Sequence, residues 1–302
     1  MTDAMTINQQ IGFGPGGCGY SSNQKPQHVH GRILSALLRR YNKYIVRPQA
    51  EKKYVDAIAN ALKQGFRWID YSCAYGDGSL LGKAICKSGV SRSELKITTR
   101  VSNWAQREHC VREEFMNFLA KAHLEYVDIL QFHWPVTDLY LDTWREMERL
   151  YEEGYVKQLG VANCHPHHLE EIYKGCKYKP EVGQFEIHPL FTQKSLIEYY
   201  KQHDIQVCAY TPIARFDDRL MRLPLLKNIA AKYCKSITQI ILRWHIQNGI
   251  IPIVRTLNPS HQKENLDVYD FVLTAEEMQL IDGVNINSRL RYDPDNCDFN
   301  IL

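Results

Sequence analysis

Eight short apolar runs, each followed by a stretch with helical spacing, organise this chain and leave few folds open. The runs are Gln10–Gly14, Phe66–Asp70, Leu95–Arg100, Val127–His133, Val156–Ala162, Glu181–His188, Ile205–Tyr210 and Ile250–Arg255. Most are too short for globular helices and are rich in Ile, Val, Phe and Tyr, so they read as strands. Helical spacing covers Ala50–Gln64, Glu108–His123, Leu139–Glu153, Pro166–Lys174 and Lys194–His203, with Gly65, Gly154 and Gly175 as stop signals. Eight β/α units in this length predict the α/β class and a single (β/α)8 TIM barrel. A doubly wound dinucleotide fold is the competing plan. Gly12, Gly14 and Gly17 do fit a G-x-G-x-x-G spacing. No helix opens directly behind them, however, and no acidic residue closes a second strand about 20 residues on.

One barrel domain is expected over residues 1–302, with an insert at 15–49 and a C-terminal tail at 285–302 lying over the active-site face. Charged residues are 24% and hydrophobic ones 44% of the chain, values that exclude a disordered polymer. The balance of 37 basic and 34 acidic side chains advertises neither nucleic acid nor a membrane as partner. No stretch approaches the ~20 apolar residues of a membrane span, and MTDAMTINQQ lacks the basic start and apolar run of a signal peptide. Nine cysteines without a C-x-x-C pair speak against a disulfide framework or zinc ribbon. A cytoplasmic protein, monomeric or weakly oligomeric, is the expectation. Inside the insert, Gly31–Lys43 places Ile33, Leu34, Leu37, Leu38 and Tyr41 on one helical face and Arg32, Arg39, Arg40 and Lys43 on the other. It reads as a helix packed on the barrel, and Pro15–Gln49 as a lid over coenzyme or substrate.

In a parallel barrel the active site forms at the C-terminal ends of the strands. Those ends are polar almost throughout: Asp70 followed by Tyr75, then Arg100, His133, Asn163, His188 (with Gln184 near the middle of that strand), Tyr210, and Arg255-Thr256. An aspartate, a tyrosine, a cation and a histidine at one mouth suit proton transfer to a carbonyl oxygen. A phenol titrates near 10 in water, and an adjacent cation lowers that value by favouring phenolate. Such a site has no nucleophile of its own and requires a hydride donor, hence a nicotinamide.

These residues also resemble a known family, the aldo-keto reductases. Gly65-Phe-Arg-Trp-Ile-Asp70-Tyr-Ser-Cys-Ala-Tyr75-Gly76 is similar to its Gly-x-Arg-x-x-Asp-Thr-Ala-x-x-Tyr-Gly signature. His133-Trp134-Pro135, Gly160-Val161-Ala162-Asn163, Gln184 to His188-Pro189, and Ala209-Tyr210-Thr211-Pro212 resemble further motifs, in order. Arg255-Thr256 with Lys263-Glu264-Asn265 looks like the coenzyme-phosphate and adenine segment. The resemblance implies NADPH bound without a Rossmann fold and a small-molecule carbonyl substrate. Tyr75 would be the proton donor, Asp70 its electrostatic support and His133 the carbonyl-orienting residue. Asn163 and Gln184 would bond the nicotinamide amide, Tyr210 would stack on its ring with Thr211 beside it, and Arg255, Thr256, His261, Glu264 and Asn265 would hold the adenosine-phosphate end.

Four positions depart from the family pattern. Arg100 stands where the catalytic lysine is expected, Ala162 replaces an amide-binding serine, Arg255 a phosphate-binding lysine, and His261 a second phosphate-binding arginine. Arginine keeps the charge but essentially never releases its proton. Two alternatives to a carbonyl reductase follow from Arg100: an NADP(H)-binding barrel with weak or no reductase activity, acting as a regulatory subunit, or elimination or isomerisation on a sugar-like or natural-product substrate. A Schiff-base aldolase fits poorly, since Lys96 begins its strand rather than ending it. His165-Pro-His167-His168 invites a metal reading, but no matching Cys or carboxylate spacing accompanies it, so no metal is expected. Cys73 is read as a bystander near the site. Trp104, Trp134, Phe216 and Tyr292 are candidate substrate walls.

Overall fold

The computed structural model describes residues 10–16, 47–72 and 78–299. The insert helix expected over 31–43, Tyr75 and Cys73 lie outside them. The eight strands are β1 (Gly12–Phe13), β2 (Trp68–Asp70), β3 (Lys96–Val101), β4 (Val127–Phe132), β5 (Val156–Ala162), β6 (Val182–Glu186), β7 (Gln206–Tyr210) and β8 (Ile251–Val254). They pair in parallel, each with its sequence neighbour, and β8 returns to β1 to close the barrel. This is the (β/α)8 architecture expected from the alternation.

The helices are α1 (Arg47–Gln64), α2 (Gly78–Ser88), α3 (Asn103–Arg107), α4 (Val111–Ala122), α5 (Tyr140–Glu152), α6 (Pro166–Gly175), α7 (Lys194–Gln202), α8 (Asp218–Met221), α9 (Pro224–Tyr233), α10 (Ile237–Gln247), α11 (Pro259–Leu266) and α12 (Ala275–Asp282). The helix expected over 108–123 is α4, three residues shorter at its start, and a short unexpected helix, α3, precedes it. Ser102 caps α3 through Ala105 N, and His109 at φ 52° turns the chain before α4 begins. The first strand is shorter than expected, and its backbone passes so close to β8 that a Cβ on Gly12 would meet Ile253 Cδ1 at 2.3 Å.

Two apolar layers hold the fold. Trp68, Ile129, Val182, Cys208, Ile251 and Ile253 fill the barrel interior, as alternate inward-facing strand residues must. A larger layer, including Phe66, Phe115, Phe132, Trp144, Leu159, Phe185, Tyr200 and Ile241, joins the strands' outer faces to the helices. Gly183 shows how tightly they meet: its missing Cβ would lie 1.9 Å from Tyr200 Cε1, and the Tyr200 hydroxyl donates to Cys164 O at 2.9 Å. Among the described residues no helix is long and apolar enough to cross a membrane.

Candidate active site

The strand ends converge on one cavity of about 890 Å³ at the C-terminal face of the barrel. Its floor is an ion pair. Asp70 ends β2 and Arg100 lies near the end of β3; both side chains are almost fully buried, with Arg100 Nη2 donating to Asp70 Oδ2 at 2.6 Å. Gln184, inside β6, completes the group: its Oε1 accepts from the same Nη2, and its Nε2 donates to Asp70 Oδ2 at 2.8 Å. One guanidinium nitrogen therefore serves two acceptors, and Asp70 Oδ1 is left buried with no partner among the described residues.

His133 follows β4 and is half-open to the cavity. Burial, then the charges of Arg100 and Arg291, push its pKa down to about 3. It is a neutral imidazole at working pH, able to donate one N–H. Asn163, just past β5, sits at φ 59°, donates from Nδ2 to His133 O at 3.0 Å and accepts the Tyr210 hydroxyl at Oδ1 at 2.7 Å. Burial pushes the Tyr210 phenol up, helped by the charge of Glu186. Thr211 is in the left-handed region at φ 48°, with its hydroxyl oxygen buried and unpartnered among the described residues.

Arg255 and Thr256 after β8, with His261, Glu264 and Asn265 from α11, line the other end of the cavity. Gly16, at φ 65°, lets the backbone lie against Arg255; a Cβ there would meet its Nε at 2.4 Å. Buried Gln262 ties α11 to α1, donating to Ala57 O at 2.9 Å and accepting from Asn60 Nδ2 at 2.6 Å. Glu264 accepts from the Ser236 hydroxyl. The catalytic and coenzyme residues expected from the sequence therefore line this cavity, save Tyr75, which lies outside the described residues.

Some residues take other places. His188, read as a mouth residue, is not on β6 and does not line the cavity; it is sealed beneath, with its Nε2 2.9 Å from Glu186 Oε1. Gln184 is engaged by the ion pair, which makes it a spacer for Arg100 as well as a cavity wall. Of the four aromatics proposed as walls, Trp134 and Phe216 line the cavity, while Trp104 and Tyr292 are not among its lining residues.

The sequence reading missed Glu186 and Arg291. Glu186 is buried; its Oε1 accepts from Leu290 N at 2.7 Å and its Oε2 from Arg291 N at 2.9 Å. This draws the tail across the face and puts Arg291 in the cavity wall. A glutamate between Gln184 and His188 in a buried strand was the available signal. The tail is further fastened where Asp295 meets His165, His167 and His168, at 2.7, 3.3 and 3.8 Å. The carboxylate absent from the local spacing thus arrives from the tail. His168 Nδ1 accepts from His165 N at 3.1 Å, so the proton of this ring sits on Nε2, toward Asp295. Of the three contacts, the one from His165 Nδ1 is a hydrogen bond, and the other two rings lie more loosely about the carboxylate.

Comparison with known proteins agrees with this geometry. A model described as "Aldo/keto reductase family" matches residues 40–286. The 9,11-endoperoxide prostaglandin H2 reductase of Trypanosoma cruzi is 39% identical over 251 residues, covering 83% of this chain and 89% of that protein. The glyoxal reductase of Bacillus subtilis is 38% identical over 244 residues, covering 81% and 88%. Among solved structures, a mutant of Gox0644 in complex with NADPH superposes with a TM-score of 0.79 at 27% identity, covering 96% of this chain and 94% of that one. The chain belongs to the aldo/keto reductase family and is an oxidoreductase of that class.

Proposed function

We propose that this chain is an NADPH-dependent reductase of aldehydes or ketones, one barrel domain over 1–302, with Tyr75 as proton donor. The observation that carries the reading is the buried Asp70–Arg100 pair on the floor of a cavity whose far end is lined by Arg255. Relatives named as glyoxal reductase and as an NADPH complex support it.

The residues present fit the coenzyme. Arg255 offers a fork suited to a phosphate, Asn265 and Glu264 offer amide and carboxylate groups, and Thr211 and Asn163 line the same cavity. When bound, NADPH supplies a hydride. His133, neutral, donates a hydrogen bond that orients the substrate carbonyl. Tyr75, five residues beyond Asp70 in the sequence, gives its proton to the carbonyl oxygen. Arg100 favours the phenolate left behind by its field alone, because arginine does not act as a proton relay. Asp70 and Gln184 hold that charge in place against the desolvation that would otherwise expel it.

The test is a fluorescence titration with NADPH and NADH, followed by absorbance loss with a panel of aldehydes and ketones. Tight NADPH binding with turnover on at least one carbonyl is expected. Binding without turnover on any carbonyl would replace this reading with a regulatory one.

A further inference from the structure

Where the tail meets the start of α6, metal-ligating side chains gather from two distant parts of the chain. His165 is the N-cap residue of α6, Pro166 opens the helix, and His167 and His168 follow in its first turn. Opposite them, Asp293 and Asp295 share one turn of the tail: Asp295 N donates to Asp293 Oδ1 at 3.1 Å, and Asn296 N to Asp293 O at 3.1 Å. Two trios result, His165 with Asp293 and Asp295, and His167 with His168 and Asp295; within each, one ligand atom per residue lies within 4.8 Å of the other two. In sequence the histidine run has no carboxylate at a matching spacing, and the fold brings Asp295 to it from 130 positions away.

Hydrogen bonding accounts for only one of the contacts. His165 Nδ1 lies 2.7 Å from Asp295 Oδ2, whereas His167 Nε2 and His168 Nε2 stand 3.3 and 3.8 Å from Oδ1. Ligands bound at about 2.0–2.1 Å in a tetrahedron are about 3.3–3.4 Å apart. The His167–Asp295 pair already has that spacing, and the His165–Asp295 pair would open by roughly half an ångström. His167 is exposed, so its ring can turn at little packing cost. His168 is not a ligand: its Nδ1 accepts from His165 N at 3.1 Å, so its Nε2 keeps the proton. Directed toward Asp295, that N–H orients the carboxylate from outside. Arg289 Nη2 comes no nearer to Asp293 Oδ2 than 4.0 Å, beyond hydrogen-bond range. The positive end of α6, worth about half a charge, opposes a cation here, and two carboxylates outweigh it.

We infer that His165 Nδ1, His167 Nε2, Asp293 and Asp295 bind a divalent transition-metal ion of the zinc class. Two imidazole nitrogens with two carboxylates form the mixed set that suits Zn2+, whereas Mg2+ and Ca2+ take oxygen ligands. The ion takes the place of the proton that His165 Nδ1 shares with Asp295, and that proton passes to Nε2 or to solvent. Its effect is to staple the tail to α6. Glu186 holds the tail at Leu290 and Arg291, and Arg107 donates to Phe299 O; the metal adds a hold between them. None of the four ligands lines the cavity, so the site stands apart from the reductase reading.

The experiment is calorimetry with ZnCl2 and with MgCl2 on the full chain, prepared without a polyhistidine tag. It compares the wild type, His167→Ala, Asp295→Asn and the double variant. The chain has 12 histidines, so stoichiometry alone does not place the ion and the variants do. One Zn2+ per chain is expected, weakened by at least about tenfold in each single variant. Mg2+ should bind about a hundredfold more weakly or not at all. ZnCl2 should also raise the melting temperature of the wild type and slow exchange of the Asp295 and Asn296 amides, EDTA should reverse both effects, and the double variant should show neither. His167→Ala removes only an exposed ring, so it decides the matter even where Asp295→Asn disturbs the tail by itself. No zinc binding, zinc binding that His167→Ala leaves unchanged, or an equal response to Mg2+, which would mean an acidic cluster only, would each overturn the inference.

Discussion

Replacing Glu186 by Gln removes one charge and almost no volume, so its effect measures the clasp between β6 and the tail. The carboxylate is 1% exposed and accepts from Leu290 N, Arg291 N and His188 Nε2 at 2.7, 2.9 and 2.9 Å. An amide in its place must turn an N–H toward one of these donors and loses the charge that strengthens the others. Hydrogen bonds to charged groups contribute about 1.5–3 kcal/mol each, and a buried donor left facing another donor costs about 1–3. A net loss of about 2–4 kcal/mol follows. Unfolding entropy of about 2.1 cal/mol/K per residue makes 1 kcal/mol worth about 1.6 °C in a chain of 302 residues. The melting temperature should fall by about 3–6 °C. If the tail opens locally instead, exchange of the Leu290 and Arg291 amides should accelerate by about 30- to 900-fold. The pH dependence has a definite sign. Burial alone would raise the Glu186 pKa; the hydrogen bonds from His188, Leu290 and Arg291 overcome it and hold the pKa below the ordinary glutamate value. Its stabilisation is complete above the unfolded glutamate value, about 4.3, and is lost as the pH falls through the lower folded value. Thermal scans and hydrogen exchange that match the wild type on both counts would refute the clasp.

Other expectations can be checked alongside. Because His133 is held near 3, kcat/KM should show no limb from this group between about pH 5 and 8; a limb near 6.5 that vanishes in His133→Gln would contradict the assignment. Gly183→Ala forces a methyl into the Tyr200 ring, whose hydroxyl is fixed on Cys164 O, and should cost about 2–3 kcal/mol by denaturant titration; a neutral result would mean that the barrel wall yields more easily than its packing implies. Arg255→Met should weaken NADPH roughly ten- to a hundredfold and NADH far less. Equal weakening of both coenzymes would place Arg255 away from the phosphate that distinguishes them.

The barrel was legible because strand and helix periods are local, and the strand-end residues because a parallel barrel sends every strand's C-terminus to one face. Asp70, Arg100, His133, Asn163 and Tyr210 follow from that rule alone. Boundaries failed where tertiary contacts override local pattern. The Gly12 backbone runs against Ile253, and the chain turns at His109 between α3 and α4. His188 was misplaced since a histidine closing an apolar run looks the same whether it faces the mouth or a buried glutamate. Arg291 was invisible for a different reason: its placement depends on the hydrogen bond its backbone N–H donates to Glu186, 105 positions earlier, and no local signal encodes such a contact. The partner of the His165 cluster, Asp295, was hidden in the same way.

Arg100, held by Asp70 and Gln184, is proposed to serve this site as a fixed charge. It is tested most directly by following NADPH oxidation with a good aldehyde substrate in the wild type, Arg100→Lys and Arg100→Met. Arg100→Lys should keep kcat within about tenfold, while Arg100→Met should lose about 10²- to 10³-fold in kcat with little change in NADPH affinity. Turnover by Arg100→Met at the wild-type rate would contradict it.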